Sequence, residues 1–377
     1  MVSTPSFFMG WNRRLILRLE EPYMSVNPNI KWLLISLLAA MLTLATACSN
    51  QVTSTESHAS PERSSSATAD TPKEIRIGYQ VSPNGELLAK ALGLLEKNYP
   101  STKINWLKFD SGRDVNTAMA SGSIDFGLVG TPPGTIGIAK GLPYQVYYLH
   151  DVIGESEALI VKKSSGIQSL HDLKGKKIAT TFSSTSHFSL LGALKTAGLD
   201  PEKDKITILD MQPQDIYAAW KRNDIDGAYI WQPTQAKLVS DGGTVIVTSK
   251  ELADKGVVTA EFGIVHKDFA QKYPHIVKKY ISLLDQAVHY YREKPEQSAQ
   301  LLSKELELSP EESLQTMQQI IWLDASEQNT YFGQSGQPGQ LAKVLKDTGD
   351  YLVTQKAIPS TPDVTTYQQA LLRDLYK

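Results

Sequence analysis

Residues 177–197 read KIATTFSSTSHFSLLGALKTA. Lys177-Ile178-Ala179-Thr180-Thr181 is a short run of strand-forming character. Phe182-Ser183-Ser184-Thr185-Ser186-His187 is a turn crowded with small hydroxyl side chains. The remainder, residues 186–197, carries apolar residues at helical spacing. Strand, polar junction and helix in that order form the repeating half of a β-α-β unit, so this stretch predicts an α/β fold.

The same alternation extends in both directions. Towards the N-terminus, residues 75–80 (IRIGYQ), 104–109, 124–129, 144–150 and 158–162 read as strands. Residues 84–99 read as one helix, with Leu87, Leu88, Ala91, Leu94 and Leu95 on a single face, and residues 114–120 as another. Towards the C-terminus, strands at 206–210, 227–231 and 244–247 alternate with helices at 215–222 and 233–240. Crossover helices of this length imply largely parallel sheets covered on both faces. After Glu261 one more strand, residues 262–265, precedes a helical region. Residues 268–291 form a helix with Pro274 as a break or start, and Ser309-Pro310-Glu311-Glu312 is a helix-starting signature. Residues 341–352 form the last long amphipathic helix.

The chain has 377 residues, 38 Lys+Arg against 40 Asp+Glu, a formal charge of −2 and a single cysteine. That length accommodates about two domains. Balanced charge gives no cation excess to displace counterions from nucleic acid, and one cysteine excludes an internal disulfide and a Cys-rich zinc or iron–sulfur site. No nucleophile elbow, P-loop, H-E-x-x-H or C-x-x-C is present, and the seven histidines are scattered. The reading assigns no catalytic residue, no metal and no cofactor.

Residues 32–44 (WLLISLLAAMLTL) follow Lys31 and are too short for a bilayer span, which takes about 20 residues. With Ala45-Thr46-Ala47 behind them they read as an export signal covering residues 1–47, for which Met24 is a more usual start than Met1. Cys48 then follows the cleavage point as in a bacterial lipoprotein, although Ala45 stands where such signals usually carry Leu. The alternative is ordinary cleavage that leaves Cys48 a free thiol. Residues 48–72, rich in Ser, Thr, Ala and Pro, are expected to be a disordered tether.

Two strand-to-helix junctions are candidates for function: Gly130-Thr131-Pro132-Pro133-Gly134 and Phe182–His187. Free backbone N–H groups at a helix start, beside hydroxyls, suit a small anion. Plain helix capping accounts for either junction alone. Two at corresponding positions turn the reading towards an anion held between them. Gln80 closes the first strand with both a donor and an acceptor. Tyr229 and Trp231 alternate along one strand and therefore share a face, with Trp231 placed to wall a cleft. Glu157, Asp226 and Glu261 flank strand ends, where a ligand amine would require one of them.

Four runs carry a resemblance: Phe109-Asp110-Ser111-Gly112, Ser156-Glu157-Ala158-Leu159-Ile160-Val161-Lys162-Lys163, Thr185-Ser186-His187-Phe188-Ser189-Leu190-Leu191, and Ala218-Ala219-Trp220-Lys221-Arg222-Asn223-Asp224-Ile225-Asp226-Gly227-Ala228-Tyr229-Ile230-Trp231. They resemble the solute-binding proteins of bacterial taurine ABC importers, grouped with alkanesulfonate-, nitrate- and thiamine-precursor-binding proteins. The resemblance runs from about Ile75 to the C-terminus and is densest between residues 156 and 233. It implies a two-lobed type II periplasmic-binding-protein fold, each lobe a mostly parallel sheet flanked by helices, with a helical C-terminal tail. Lobe 1 would comprise residues 73–157 with 262–377, and lobe 2 residues 158–261.

What the resemblance implies about function is specific. Taurine or a related small sulfonate would sit in the cleft. Gly130, Thr131, Thr185, Ser186 and His187 would hold the sulfonate; Glu157, Asp226 or Glu261 would face the ammonium; Gln80, Tyr229 and Trp231 would shape the pocket. The partners would be an ABC permease with its ATPase, and the membrane through a lipid anchor only. The protein would be an exported monomer in the periplasm or at the outer face of the cytoplasmic membrane. Unsubstituted alkanesulfonates or nitrate are alternative ligands, and an enzyme of thiamine-precursor type is a more distant alternative on the same fold. Val81-Ser82-Pro83-Asn84-Gly85, Gly130-Thr131-Pro132 and Glu261 depart from the taurine branch, which tends towards a serine-rich turn and an aspartate at the last two sites.

Overall fold

The computed structural model describes residues 71–333 and 339–373. The export signal, Met24, Cys48 and residues 48–70 of the expected tether lie outside the described residues. Eleven strands are described: β1 (Glu74–Tyr79), β2 (Lys103–Lys108), β3 (Phe126–Gly130), β4 (Tyr144–Ile153), β5 (Glu157–Lys162), β6 (Lys177–Thr180), β7 (Thr207–Asp210), β8 (Gly227–Trp231), β9 (Gly243–Thr248), β10 (Ala260–His266) and β11 (Ile320–Trp322).

They form two sheets. The first runs β11-β4-β10-β3-β1-β2 and the second β7-β6-β8-β5-β9. Both are mixed, which corrects the expectation of mostly parallel sheets. β1 pairs in parallel with β2 and β3, but β10 is antiparallel to β3 and β4, and β11 to β4. In the second sheet β6 is parallel to β7 and β8, whereas β5 is antiparallel to β8 and β9. Periodicity reports how a strand is buried, not its direction, so the strands at 158–162 and 262–265 are legible but their antiparallel pairing is not.

The chain passes from the first sheet to the second between Ile153 and Glu157, and back between Thr248 and Ala260. The two crossings run side by side. Ile153 N–H donates to Thr259 O at 3.0 Å and Lys250 N–H to Gly154 O at 3.1 Å.

Apolar clusters cover both faces of the first sheet. On one, Ile75, Ile77, Phe126 and Tyr147 pack against Ile276, Tyr280, Leu284 and Val288 of the helix Pro274–Glu293. On the other, Val129, Val146 and Ile264 meet Leu341 and Leu345 of the helix Gln340–Thr354. Each fully buried aliphatic side chain contributes ~1.5–3 kcal/mol. Pro274 begins its helix as expected, and Ser309 and Glu312 form a reciprocal capping box. The helix expected over residues 84–99 is instead two, Gly85–Ala91 and Leu94–Asn98. They are split at Gly93, whose φ of 62° breaks the helical ladder.

Candidate functional site

β1, β3 and β8 all end at the gap between the two sheets, as open α/β sheets place their ligand sites. β10, antiparallel to β3, brings Glu261 to the same edge opposite Gly130. β5, antiparallel to β8, brings Glu157 opposite Trp231. Gln80, Gly130, Thr185, Trp231 and Glu261 line one small cavity together with Ser184. Ser82, Ser156 and Gln232 line a second, which Trp231 and Glu261 also wall. Outside them lies a groove of about 400 Å³ that Gln80 and Trp231 share with Asp110, Gln214, Tyr217 and Lys237. The inner cavity measures about 20 Å³, room for one water.

The two junctions meet directly. A Cβ on Gly130 would lie 2.4 Å from Thr185 Cγ2, so only glycine lets the junctions approach this closely. They differ in what they offer. In the helix Thr131–Ala139, Pro132 and Pro133 lack N–H groups, which leaves few donors at that end. Thr131 is fully buried and its hydroxyl accepts from Ala260 N–H at 3.1 Å, so it fastens β10 and does not face the cavity.

The helix Thr185–Thr196 is capped by Ser184, whose Oγ accepts from His187 N–H at 3.2 Å. The Thr185 and Ser186 N–H groups, first in that helix, have no intrahelical acceptor. Thr185 gives its one hydroxyl proton to Glu157 Oε2 at 2.5 Å, so that hydroxyl has none left for an anion. Ser186 is fully buried. The His187 ring stacks on Phe182 with centroids 4.4 Å apart and accepts from Ser183 N–H. Burial pushes its imidazole down to about 4 against the pull of Asp210, so it is neutral and supplies no cation near pH 7.

The acidic candidates separate clearly. Asp226 precedes β8 and accepts from Lys177 N–H at 2.8 Å. Five residues of strand place it roughly 16 Å from the Trp231 end, so it is not a cleft residue. Glu157 is fully buried and accepts hydroxyl protons from Thr185, Ser189 at 3.1 Å and Ser249 at 2.8 Å. Burial raises its carboxyl and these hydroxyls oppose the rise. It holds Thr185 in place and lines neither cavity.

Glu261 alone of the three borders both cavities. Its Oε2 accepts from Ser82 Oγ at 2.8 Å and Asn84 Nδ2 at 3.1 Å. Burial raises its carboxyl, and hydrogen bonds from Ser82 and Asn84 oppose that. Tyr229 and Trp231 do not share a pocket. Tyr229 is fully buried among Leu159, Val161 and Ile178, with its hydroxyl 3.1 Å from Ser249 Oγ, while Trp231 walls the cavities. Gln80 is held by a bond from Nε2 to Leu128 O at 2.9 Å. Sequence reading missed Ser82 and Asn84 as partners of Glu261, and Ser189 and Ser249 as partners of Glu157. Among the described residues no group of three or more His, Cys, Asp or Glu is placed to hold a metal ion.

Residues 103–298 match the model of the family described as NMT1/THI5 like. The chain belongs to the NMT1/THI5-like family. It is 35% identical over 295 residues to the taurine-binding periplasmic protein of Escherichia coli (strain K12), covering 76% of this chain and 88% of that one. A putative aliphatic sulfonates-binding protein of the same organism is 33% identical, covering 64% and 74%. Among solved structures, the alkanesulfonate-binding protein SsuA from Xanthomonas axonopodis pv. citri bound to MOPS matches with a TM-score of 0.66 and 26% identity, over 80% of this chain and 99% of that one. This NMT1/THI5-like protein therefore has the periplasmic-binding-protein fold, with a helical C-terminal region.

Proposed function

We propose that this chain is the solute-binding component of an ABC importer and that its ligand is taurine, held in the cleft between two lobes. Lobe 1 is built on the first sheet and comprises residues 73–153 and 260–377, and lobe 2 is built on the second sheet and comprises residues 157–248, so Glu157 belongs to lobe 2 and Glu261 to lobe 1, the reverse of the bounds read from the sequence. The chain is a binding protein and not an enzyme, like the binding proteins it is similar to. One observation carries the substrate. The cavity that Glu261 lines also reaches Ser184 and Thr185 at the start of a helix. A negative group thus lies close to the positive end of a helix dipole. A zwitterion with an ammonium at one end and a sulfonate at the other is complementary to that pair. The sulfonate rests on the Thr185 and Ser186 amides, the ammonium on Glu261, and Trp231 covers the short carbon link.

The inner cavity is smaller than any sulfonate, so the ligand enters by separation of the lobes about the paired crossings and is enclosed on closure. The closed form docks on a membrane permease driven by an ATPase. Export to the periplasm or the outer face of the cytoplasmic membrane, and anchoring through a lipidated Cys48, complete the proposal. Mass spectrometry of the mature N-terminus tests the anchor. Calorimetric titration with taurine, ethanesulfonate, nitrate and sulfate tests the substrate. Taurine should bind tightest by tenfold or more, about 1.4 kcal/mol. Equal or tighter ethanesulfonate binding replaces taurine with unsubstituted alkanesulfonates. That second reading draws support from the aliphatic-sulfonate relative.

A further inference from the structure

Glu261 has a neighbour that sequence reading did not single out. Asp151 on β4 is its register partner across the antiparallel β10–β4 pair. The register slips between Glu261 and Phe262, whose partners are Asp151 and Leu149, so His150 is an extra residue in β4. A bulge of this kind re-aims the side chains beside it. Asp151 is 0% exposed, and neither of its carboxyl oxygens has a hydrogen-bond donor. The polar group it faces is the Glu261 carboxyl.

Among the described residues no cation is paired with either acid. From the turn before the helix Gly85–Ala91 come Ser82 and Asn84, both on Glu261. From the helix itself comes Glu86, a third buried acid that accepts from Tyr280 of the helix Pro274–Glu293. Gly130 of β3 lies opposite Glu261, and Trp322 of β11 opposite Asp151, neither of them charged. His150 is neutral, because burial pushes its imidazole down to about 3. Two carboxylates that face each other, one fully buried and the other half-buried, resist ionising together and keep one proton between them. Burial and the facing Glu261 raise Asp151 well above the usual carboxylate range, in the same sense.

We propose that Asp151 and Glu261 act as a proton-sharing pair in which Asp151 is a positioning residue, and that binding of a ligand ammonium displaces the shared proton. The inference rests on the taurine reading and deepens it. An N–H of the ammonium donates to Glu261 in place of the shared proton, which leaves Asp151–Glu261 for solvent, so the site exchanges one cation for another. A sulfonate without an amine cannot make the exchange and leaves the proton where it was. The pair therefore selects for a cationic headgroup.

The test is calorimetric titration of the protein near neutral pH in two buffers of different ionisation enthalpy, with taurine and with ethanesulfonate. Taurine should release about one proton per site, and its affinity should rise about tenfold per pH unit while the pair is still protonated. Ethanesulfonate should release none. In Asp151→Asn the amide replaces the shared proton as the donor to Glu261, so proton release disappears and the affinity for taurine no longer follows pH. A purely structural Asp151 would lower affinity and leave the proton count as it was. Taurine binding without proton release in the unmodified protein overturns the inference and leaves the substrate reading standing. Absence of heat with taurine overturns both.

Discussion

Glu157 and Glu261 occupy matching edges of the two sheets, but Glu157 is fully buried while Glu261 is only half-buried, and their surroundings differ. Glu157 is surrounded by hydroxyl donors from Thr185, Ser189 and Ser249, all within the second sheet and its helices. Glu261 receives donors on one oxygen only, borders two cavities and faces another acid. A buried carboxylate ringed by donors is satisfied, and its work is to hold its neighbours still. A carboxylate that faces a second one is unsatisfied, and a cation from outside relieves it. Position at a strand end is common to both and does not tell them apart.

The difference can be broken at either acid. Glu261→Gln should lower taurine affinity by about 2–5 kcal/mol while ethanesulfonate binding stays within a few-fold, as calorimetry of the two ligands would show. Equal losses for both would remove Glu261 from ammonium recognition. Gly130→Ala should weaken both ligands together by about 1–3 kcal/mol, because its Cβ meets the Thr185 methyl whatever the ligand. Glu157→Gln should lower the unfolding free energy by about 1.5 kcal/mol in urea titrations. The preference for taurine over ethanesulfonate should survive that change. A changed preference would mean that Glu157 reads the ligand. The smallest effect is expected at the rim, where Arg113 Nη1 meets Asp210 Oδ2 at 2.8 Å, with Arg113 from the first sheet's side and Asp210 at the end of β7. Both side chains are more than a third exposed, so Arg113→Ala should alter affinity by about 0–1 kcal/mol, less still at high salt.

Local signals were legible and non-local ones were not. The capping box at Ser309–Glu312 and the helix start at Pro274 are decided within one helical turn, and both appear as the residues imply. The helix over residues 84–99 was misread because Gly93 adopts a left-handed conformation inside an otherwise continuous apolar stripe. β11 has three residues and gains its identity only by pairing with β4, so no periodicity exposes it. Within the site, the hydroxyl-rich turn before the helix Thr185–Thr196 was visible. That Thr185 spends its proton on Glu157 was not, because the partner comes from a different strand. Two prolines at the other junction were in plain view, and their missing N–H groups weigh against an anion there. Asp151 shows the limit most plainly: alone it is one acid in a strand, and its meaning comes from a residue brought opposite by an antiparallel return.

That return also dictates an order of assembly. β10 lies between β3 and β4, yet it leaves the ribosome after the whole second sheet. Until residue 266 is available, β3 and β4 each keep an unpaired edge on the side that β10 will fill. The second sheet draws only on residues 157–248 and can pair its strands without waiting. The part of the chain made first is thus completed last, by long-range pairing that is slow to form. A nascent chain of this kind stays incompletely folded until most of its length exists, a delay that suits the export proposed above.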